Sequence, residues 1–443
     1  TDSHWLVPHF EKMLYDQAML AMAYIETYQA TGIEEFEETA KEVFTYVLRD
    51  MTDQKGGFYS AEDADSEGVE GKFYVWTEDE IRLALKGDEA DLIINVYSID
   101  KTGNFRDEVS GENTGANILH LDKSLTEVAF KNKESVDGLK ERVEVARQKL
   151  FDIRNKRIHP HKDDKILTDW NGLMIAALAK GAQAFDEPKY AEAAKRAADF
   201  ILTGMRREDG RILHRYRDGH TAILANADDY AFLIWGLLEL YETVFDVDYL
   251  QAALDLNSEM IKYFWDEQDG GFYFTADDAE ELIVRQKEIY DGAIPSGNSV
   301  AVSNLFRLAR ITANTDFEDK ANKIMLAFSK DVESAPSGYT QMMIALGFGI
   351  GPSYEIVIVG NPEAEDTKEM LASLGKHFIP YKVVLLKRDD QETADITSIA
   401  EYTEYHSSFE GKATAYVCLD FACKMPVTNT EEMLKLLNVS QIK

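Results

Sequence analysis

Through most of the first 350 positions, apolar residues recur at helical spacing, and the segments come in unlike pairs. In each pair the first segment is apolar on nearly every side, and the second has a single apolar face. Residues 170–178 carry almost no polar face. The following 190–202 set Ala193, Ala194, Ala197, Phe200 and Ile201 against Glu192, Lys195, Arg196 and Asp199. The contrast repeats in 230–245 followed by 249–264, in 300–311 followed by 317–328, and in 10–28 followed by 36–48. A helix apolar all round must be buried on every side, whereas an amphipathic one needs one covered face. The pattern predicts two concentric helical layers, a mostly α toroid of helical hairpins. Irregular spacing separates it from a solenoid of fixed period.

Two further patterns refine this picture. Asp53-Gln54-Lys55-Gly56-Gly57-Phe58-Tyr59 is echoed by Asp266-Glu267-Gln268-Asp269-Gly270-Gly271-Phe272-Tyr273, each after an amphipathic segment. A glycine pair permits a tight turn, and the aromatic run then favours a short strand, so the two connections are expected to be equivalent and to share one rim. After residue 351 the pattern changes to strands at 354–360, 382–386 and 413–419, with helices near 363–374 and 430–437. The expected organisation is therefore a toroid over 1–350 and a small α/β part over 351–443.

Composition narrows the functions. The 443 residues hold 80 Asp and Glu against 47 Lys and Arg, a formal charge of −33, interspersed along the chain. Such a field repels phosphate backbones and anionic membranes, so no nucleic-acid or membrane partner is expected. No run of about 18 apolar residues suggests a membrane span. The two cysteines, Cys418 and Cys423, fall short of a secreted disulfide framework. They read as reduced, buried thiols on opposite faces of a strand in a cytoplasmic protein, a redox pair only if the chain turns between them.

The motif from Asp2-Ser3-His4-Trp5 to Asp16-Gln17-Ala18, together with Gly57-Phe58-Tyr59-Ser60-Ala61-Glu62-Asp63-Ala64-Asp65-Ser66, Asp163-Asp164-Lys165-Ile166-Leu167-Thr168-Asp169-Trp170-Asn171-Gly172, Pro295-Ser296-Gly297-Asn298 and Tyr416-Val417-Cys418, resembles the thioredoxin-domain-containing family of the bacterial YyaL and spermatogenesis-associated proteins. The resemblance implies an (α/α)6 toroid related to N-acylglucosamine 2-epimerases and six-hairpin glycosidases. It also implies a thioredoxin-like domain upstream, so the chain is expected to start inside the toroid, without its opening hairpin. A carbohydrate role follows from that fold by analogy alone.

In a toroid the inner helices run parallel, so their N-termini and positive dipole ends gather at one mouth. The residues at those starts are unusually polar. Asp164, Asp169, Asp228 and Asp229, with His9, are the candidate catalytic groups; His4, Asp63, Asp65, Trp170, Asn171 and Asn298 are the candidate sugar-binding groups. A single Asp or Asn at a helix start is explained by capping, but a doublet holds one more than a cap requires. His9 and Asp16, seven apart, would share a helix face and place a base beside a carboxylate. His159-Pro160-His161 lacks the further ligands that a metal site needs, so no metal and no cofactor is expected. The chemistry is that of a sugar epimerase or isomerase, or of a glycoside hydrolase, acting on a sugar-like ligand. The alternative is a scaffold serving the thioredoxin-like domain.

Overall fold

The chain was analysed as a computed structural model, which describes residues 1–106, 111, 113–280, 282–390 and 395–439. Its first long helix, α1 (Leu14–Thr31), buries Leu14, Ala18, Ala21, Met22 and Ile25, and the amphipathic α2 (Glu34–Asp50) lies against it through Ala40, Phe44 and Val47. The chain then enters a separate unit, Thr1–Met13 with Ala61–Asp163. That unit holds short strand pairings (β1, Lys12–Met13; β2, Ala61–Glu62; β3, Asp65–Ser66; β4, Val69–Glu70; β5, Lys162–Asp163). It also holds helices α3 (Glu78–Ala84), α4 (Asp88–Val96), α5 (Leu125–Asn132) and α6 (Val136–Arg154) around a core of their own that includes Trp76, Ile81, Ile93 and Leu139.

The second unit, Leu14–Ser60 with Asp164–Lys443, continues the layered pattern. After β6 (Ile166–Leu167) come α7 (Thr168–Phe185) and α8 (Pro188–Gly204), then a hairpin of β7 (Leu213–Arg217) and β8 (His220–Leu224). Helices α9 (Ala227–Val244), α10 (Val247–Phe264), α11 (Gly297–Thr312), α12 (Thr315–Ala327), α13 (Ser329–Ser334) and α14 (Thr340–Ile350) follow. Helix α7 packs on α1 and α9, and α11 on α9 and α14, so these five make the inner layer; α2, α8, α10 and α12 each cover their own partner from outside. Burial follows the hydrophobic pattern: Leu173 to Ala179 are buried without a break, whereas α8 buries one face through Ala193, Ala194, Ala197 and Ile201. The fold is thus the expected toroid of helical hairpins, mostly α, with a small α/β part, but residues 1–13 and 61–163, expected within the toroid, form the separate unit described above.

Inner helices α7 and α9 touch backbone to backbone. A Cβ on Gly172 would stand 2.5 Å from the carbonyl carbon of Phe232, and one on Gly236 would stand 2.6 Å from the Gly172 oxygen. Glycine at both positions lets the two axes approach more closely than any side chain would allow.

The two Gly-Gly-Phe-Tyr connections are built alike. Asp53 donates its N–H to the Gly57 oxygen, and Asp266 donates its own to Gly271, at 2.8 and 2.9 Å. Tyr59 and Tyr273 donate their hydroxyls to the Asp53 and Asp266 carboxylates. The next inner helix clamps each Phe. Asn171 accepts the Phe58 N–H at 2.7 Å and donates to the Phe58 oxygen at 3.0 Å; Asn298 repeats this with Phe272 at 2.7 and 2.9 Å. The second copy holds one extra residue between its aspartate and its glycines, so Asp53 matches Asp266 and not Glu267. A third copy follows α8: Arg207 donates to Arg211 at 2.8 Å and Leu213 to Met205 at 2.9 Å, as Tyr59 does to Met51. It lacks the glycine pair, which is why the sequence did not show it.

Beyond α14 the strands fall where expected, in the order β10 (Lys382–Arg388), β9 (Tyr354–Gly360), β11 (Thr414–Leu419), β12 (Ala422–Cys423), with β9 and β10 parallel. Helices α15 (Glu365–Lys376) and α16 (Thr430–Leu436) flank this sheet. The expectation of separate thiols on opposite faces does not hold. The strand ends at Leu419, the chain reverses through Asp420 and Phe421 in left-handed conformation, and Cys418 pairs with Cys423 in a disulfide.

Candidate active site

The start of α9 reads Asn226-Ala227-Asp228-Asp229, and its two carboxylates serve different neighbours. Asp229 is fully buried. Its Oδ1 accepts the Asp169 N–H of α7 at 3.0 Å, and its Oδ2 accepts the Asn226 N–H of its own helix at 2.8 Å. His214, on β7, donates Nδ1 to the same carboxylate, 2.9 and 3.1 Å from its two oxygens. Asp228 instead lies against the N–H of Gly297, the first residue of α11, and a Cβ on Gly297 would collide with its Oδ1. The doublet therefore stitches three inner helices together at their positive ends, a favourable place for negative charge.

Asp169 completes the group. Its Oδ1 accepts the Trp170 N–H at 2.8 Å, and one oxygen or ring nitrogen from each of Asp169, His214 and Asp229 lies within 4.8 Å of the others. Such donors also suit a divalent metal. Here both Asp229 oxygens already accept from N–H donors, so an ion would have to share or displace those bonds.

Burial and charge move these groups in useful directions. Asp169 is pushed well above the ordinary carboxylate range, first by burial and then by the neighbouring Asp229 charge. Asp228 rises to about 7 for the same two reasons, burial before Asp229. Burial alone would lower His214, but its hydrogen bond to Asp229 and the charges of Asp229 and Asp169 win, carrying it up to about 9. Near neutral pH the cluster holds an Asp228 close to half-ionised, an Asp169 that binds its proton more firmly than an ordinary carboxylate, and an imidazolium whose Nε2 donates no hydrogen bond to a described residue.

Of the residues singled out in the sequence, Asp169, Asp228 and Asp229 come together, with Trp170 half-buried beside them, edge-on to Tyr15 at 4.8 Å. Asp164 does not join them; it pairs with Arg217 at 2.7 Å, both about two-fifths exposed. Asn171 and Asn298 are buried and spend their amides on the turns described above, so neither is free for a ligand. His4, His9, Asp63 and Asp65 are exposed and belong to the other unit. The helical pairing of His9 with Asp16 fails, because α1 begins only at Leu14. His214 is a site residue that helix starts do not reveal, because it sits on the strand between an outer and an inner helix, announced only by the Asp218-Gly219 turn of its hairpin.

The chain is 34% identical to human spermatogenesis-associated protein 20 over 465 aligned positions, covering 99% of this chain and 59% of the human protein. An uncharacterized Caenorhabditis elegans protein is 32% identical over 464 positions, covering 98% and 62%. These proteins are homologues, and the chain spans about three-fifths of their length. No family model matches. Among solved structures, a sugar epimerase from a ruminal bacterium aligns over 74% of this chain and 62% of its own, at 11% identity and a TM-score of 0.44. No helix among the described residues is long and apolar enough to cross a membrane.

Proposed function

We propose that the chain is a member of the spermatogenesis-associated protein 20 family whose inner-helix rim performs acid–base chemistry on a carbohydrate. The observation that supports this is the pair Asp228 and His214 beside the buried Asp229: burial and then the Asp229 charge carry Asp228 to about 7, and the Asp229 hydrogen bond and charge carry His214 to about 9 against its burial. Asp228 takes a proton; the His214 imidazolium gives one from Nε2. Asp229 touches neither proton and acts as the positioning residue. A base and an acid poised around neutral pH is what proton removal beside a sugar carbonyl requires. Trp170 supplies a half-buried aromatic surface on the same turn.

Epimerisation or isomerisation is favoured over hydrolysis. The nearest atoms of Asp169 and Asp229 lie within 4.8 Å, and an inverting pair needs ~6.5–9.5 Å to admit water. A retaining nucleophile needs a free oxygen, and both Asp229 oxygens are held by N–H donors, which closes that role to Asp229. The test is to incubate the protein with a panel of reducing sugars and disaccharides and to separate the products. An epimer or ketose that disappears in Asp228→Asn supports the reading. Monosaccharide release from disaccharides would favour hydrolysis, and no turnover of any sugar would favour a scaffold.

A further inference from the structure

The same inner helices enclose a second feature away from the acidic cluster. Lys180 lies about eleven residues beyond Asp169 on α7, and Glu239 about ten beyond Asp229 on α9, which at 1.5 Å per residue is ~15 Å further along the axes. There, α1, α7, α9, α11, α14 and the segment leading into β10 surround a cavity of about 420 Å³. In a chain of net charge −33, its wall gathers three cations, Lys180, Arg307 and Lys382.

The charges do not cancel pair by pair. Arg307 holds Glu239 at 2.8 Å and Glu242 at 2.9 Å, and Lys180 holds Glu26 at 3.0 Å. All three acids of the wall are thereby engaged. Lys382 has no carboxylate within ion-pair distance among the described residues, and its ammonium donates to the Ile379 oxygen at 3.4 Å. Burial pulls its proton affinity down, and the charges of Glu242 and Glu239 nearby offset this only in part.

Two further polar atoms of the wall are left over. Asn304, 1% exposed, donates to the Ala231 oxygen but has no partner at Oδ1, and Arg307, 9% exposed, has none at Nε. A buried polar atom without a partner costs about 1–3 kcal/mol, so a wall with two of them calls for an explanation. Gln29, Gln183 and Gln341 also line the cavity; their NH2 groups already donate to Gly375, Thr243 and Ser303, so their amide oxygens are what they offer a ligand hydroxyl. Trp235, held by its Nε1–H on Glu239 at 3.1 Å, adds a fixed aromatic face.

From this wall we infer that the cavity is a binding site for a sugar-sized, hydroxylated ligand with one anionic group, the anion paired with Lys382 and the hydroxyls with the amides and Asn304. It is a second site, independent of the acid–base chemistry at the rim.

Calorimetric titration of the whole chain with D-glucuronate, glucose 6-phosphate, glucose and inorganic phosphate tests this, the first two distinguishing carboxylate from phosphate. Saturable binding of either sugar anion is expected, weaker by about tenfold or more for glucose, and weaker by the same order in Lys382→Met, the loss typical of removing one partner of a buried charge pair. Gln29→Ala, a half-buried change on α1 that removes no apolar core side chain and gives up one hydrogen bond to the Gly375 oxygen, should weaken binding severalfold, and it keeps the test decisive if Lys382→Met does not fold. Several results overturn the inference: no binding at millimolar concentration, equal binding of glucose, or equal binding of inorganic phosphate alone. So would binding untouched by both variants, or binding lost in Asp228→Asn while Lys382→Met keeps it, which would move the ligand to the rim.

Discussion

Replacing Asp228 with Asn should make the protein more stable at alkaline pH while removing its function. In the fold Asp228 titrates at about 7 against an ordinary 3.8, so the folded chain binds more protons than the unfolded one between those values. Stability therefore falls as pH rises through that window, and above it the whole penalty stands. The distance from 3.8 to about 7 is worth about 4 kcal/mol as an upper bound. Asparagine carries no charge and keeps an oxygen for the Gly297 N–H. It gives up about 0.3–1 kcal/mol of attraction to the helix ends. The variant should thus gain about 1–3 kcal/mol at about pH 8 and be nearly unchanged at about pH 4. Urea unfolding at the two pH values measures both. A variant destabilised at the higher pH, or shifted equally at both, would show that Asp228 is an ordinary ionised cap.

The remaining predictions concern the neighbours of that residue and the frame. His214 is raised from 6.5 to about 9, so it contributes up to about 3 kcal/mol that is fully present below pH 6.5 and lost as pH climbs through 9. In His214→Gln that slope should be absent from the same unfolding series. Gly172→Ala should cost about 1–3 kcal/mol, because the new methyl meets α9 backbone that cannot step aside, and thermal unfolding would detect it. Asn171→Ala and Asn298→Ala should cost about the same as each other, roughly 3 kcal/mol, since each strands one N–H and two carbonyls, of which the paired Phe supplies the N–H and one carbonyl. Markedly unequal losses would break the equivalence of the two turns.

Much of the frame could be read from the sequence, because burial leaves a periodic trace. The unbroken apolar run through Leu173 to Ala179 had nowhere to go but the inner layer, and the glycine pairs announced two of the three turns. What escaped depended on contacts between distant residues. Asp228 and Asp229 stood out as a doublet, yet that one serves α11 and the other α7 cannot be seen from spacing, nor can the Asn171 and Asn298 clamps. His214 carried no helical signal. The cavity wall was equally hidden: Glu239, Arg307 and Lys382 lie far apart in the chain, and charged residues in apolar helices read as solvated faces until the fold turns them inward. For Cys418 and Cys423 spacing leaves two outcomes, separate thiols on a straight strand or a pair across a turn, and the left-handed Asp420 and Phe421 that decide it carry no sequence signal.

The central claim, that the rim moves protons on a sugar, is tested most directly by solvent exchange. Reducing sugars incubated with the protein in deuterium oxide are followed by proton NMR at the carbon next to the carbonyl. The account predicts deuterium uptake at that carbon for at least one sugar, reduced by about 10²–10⁴ in Asp228→Asn, the usual worth of a general base. No uptake with any sugar, or uptake that survives in Asp228→Asn, would contradict it.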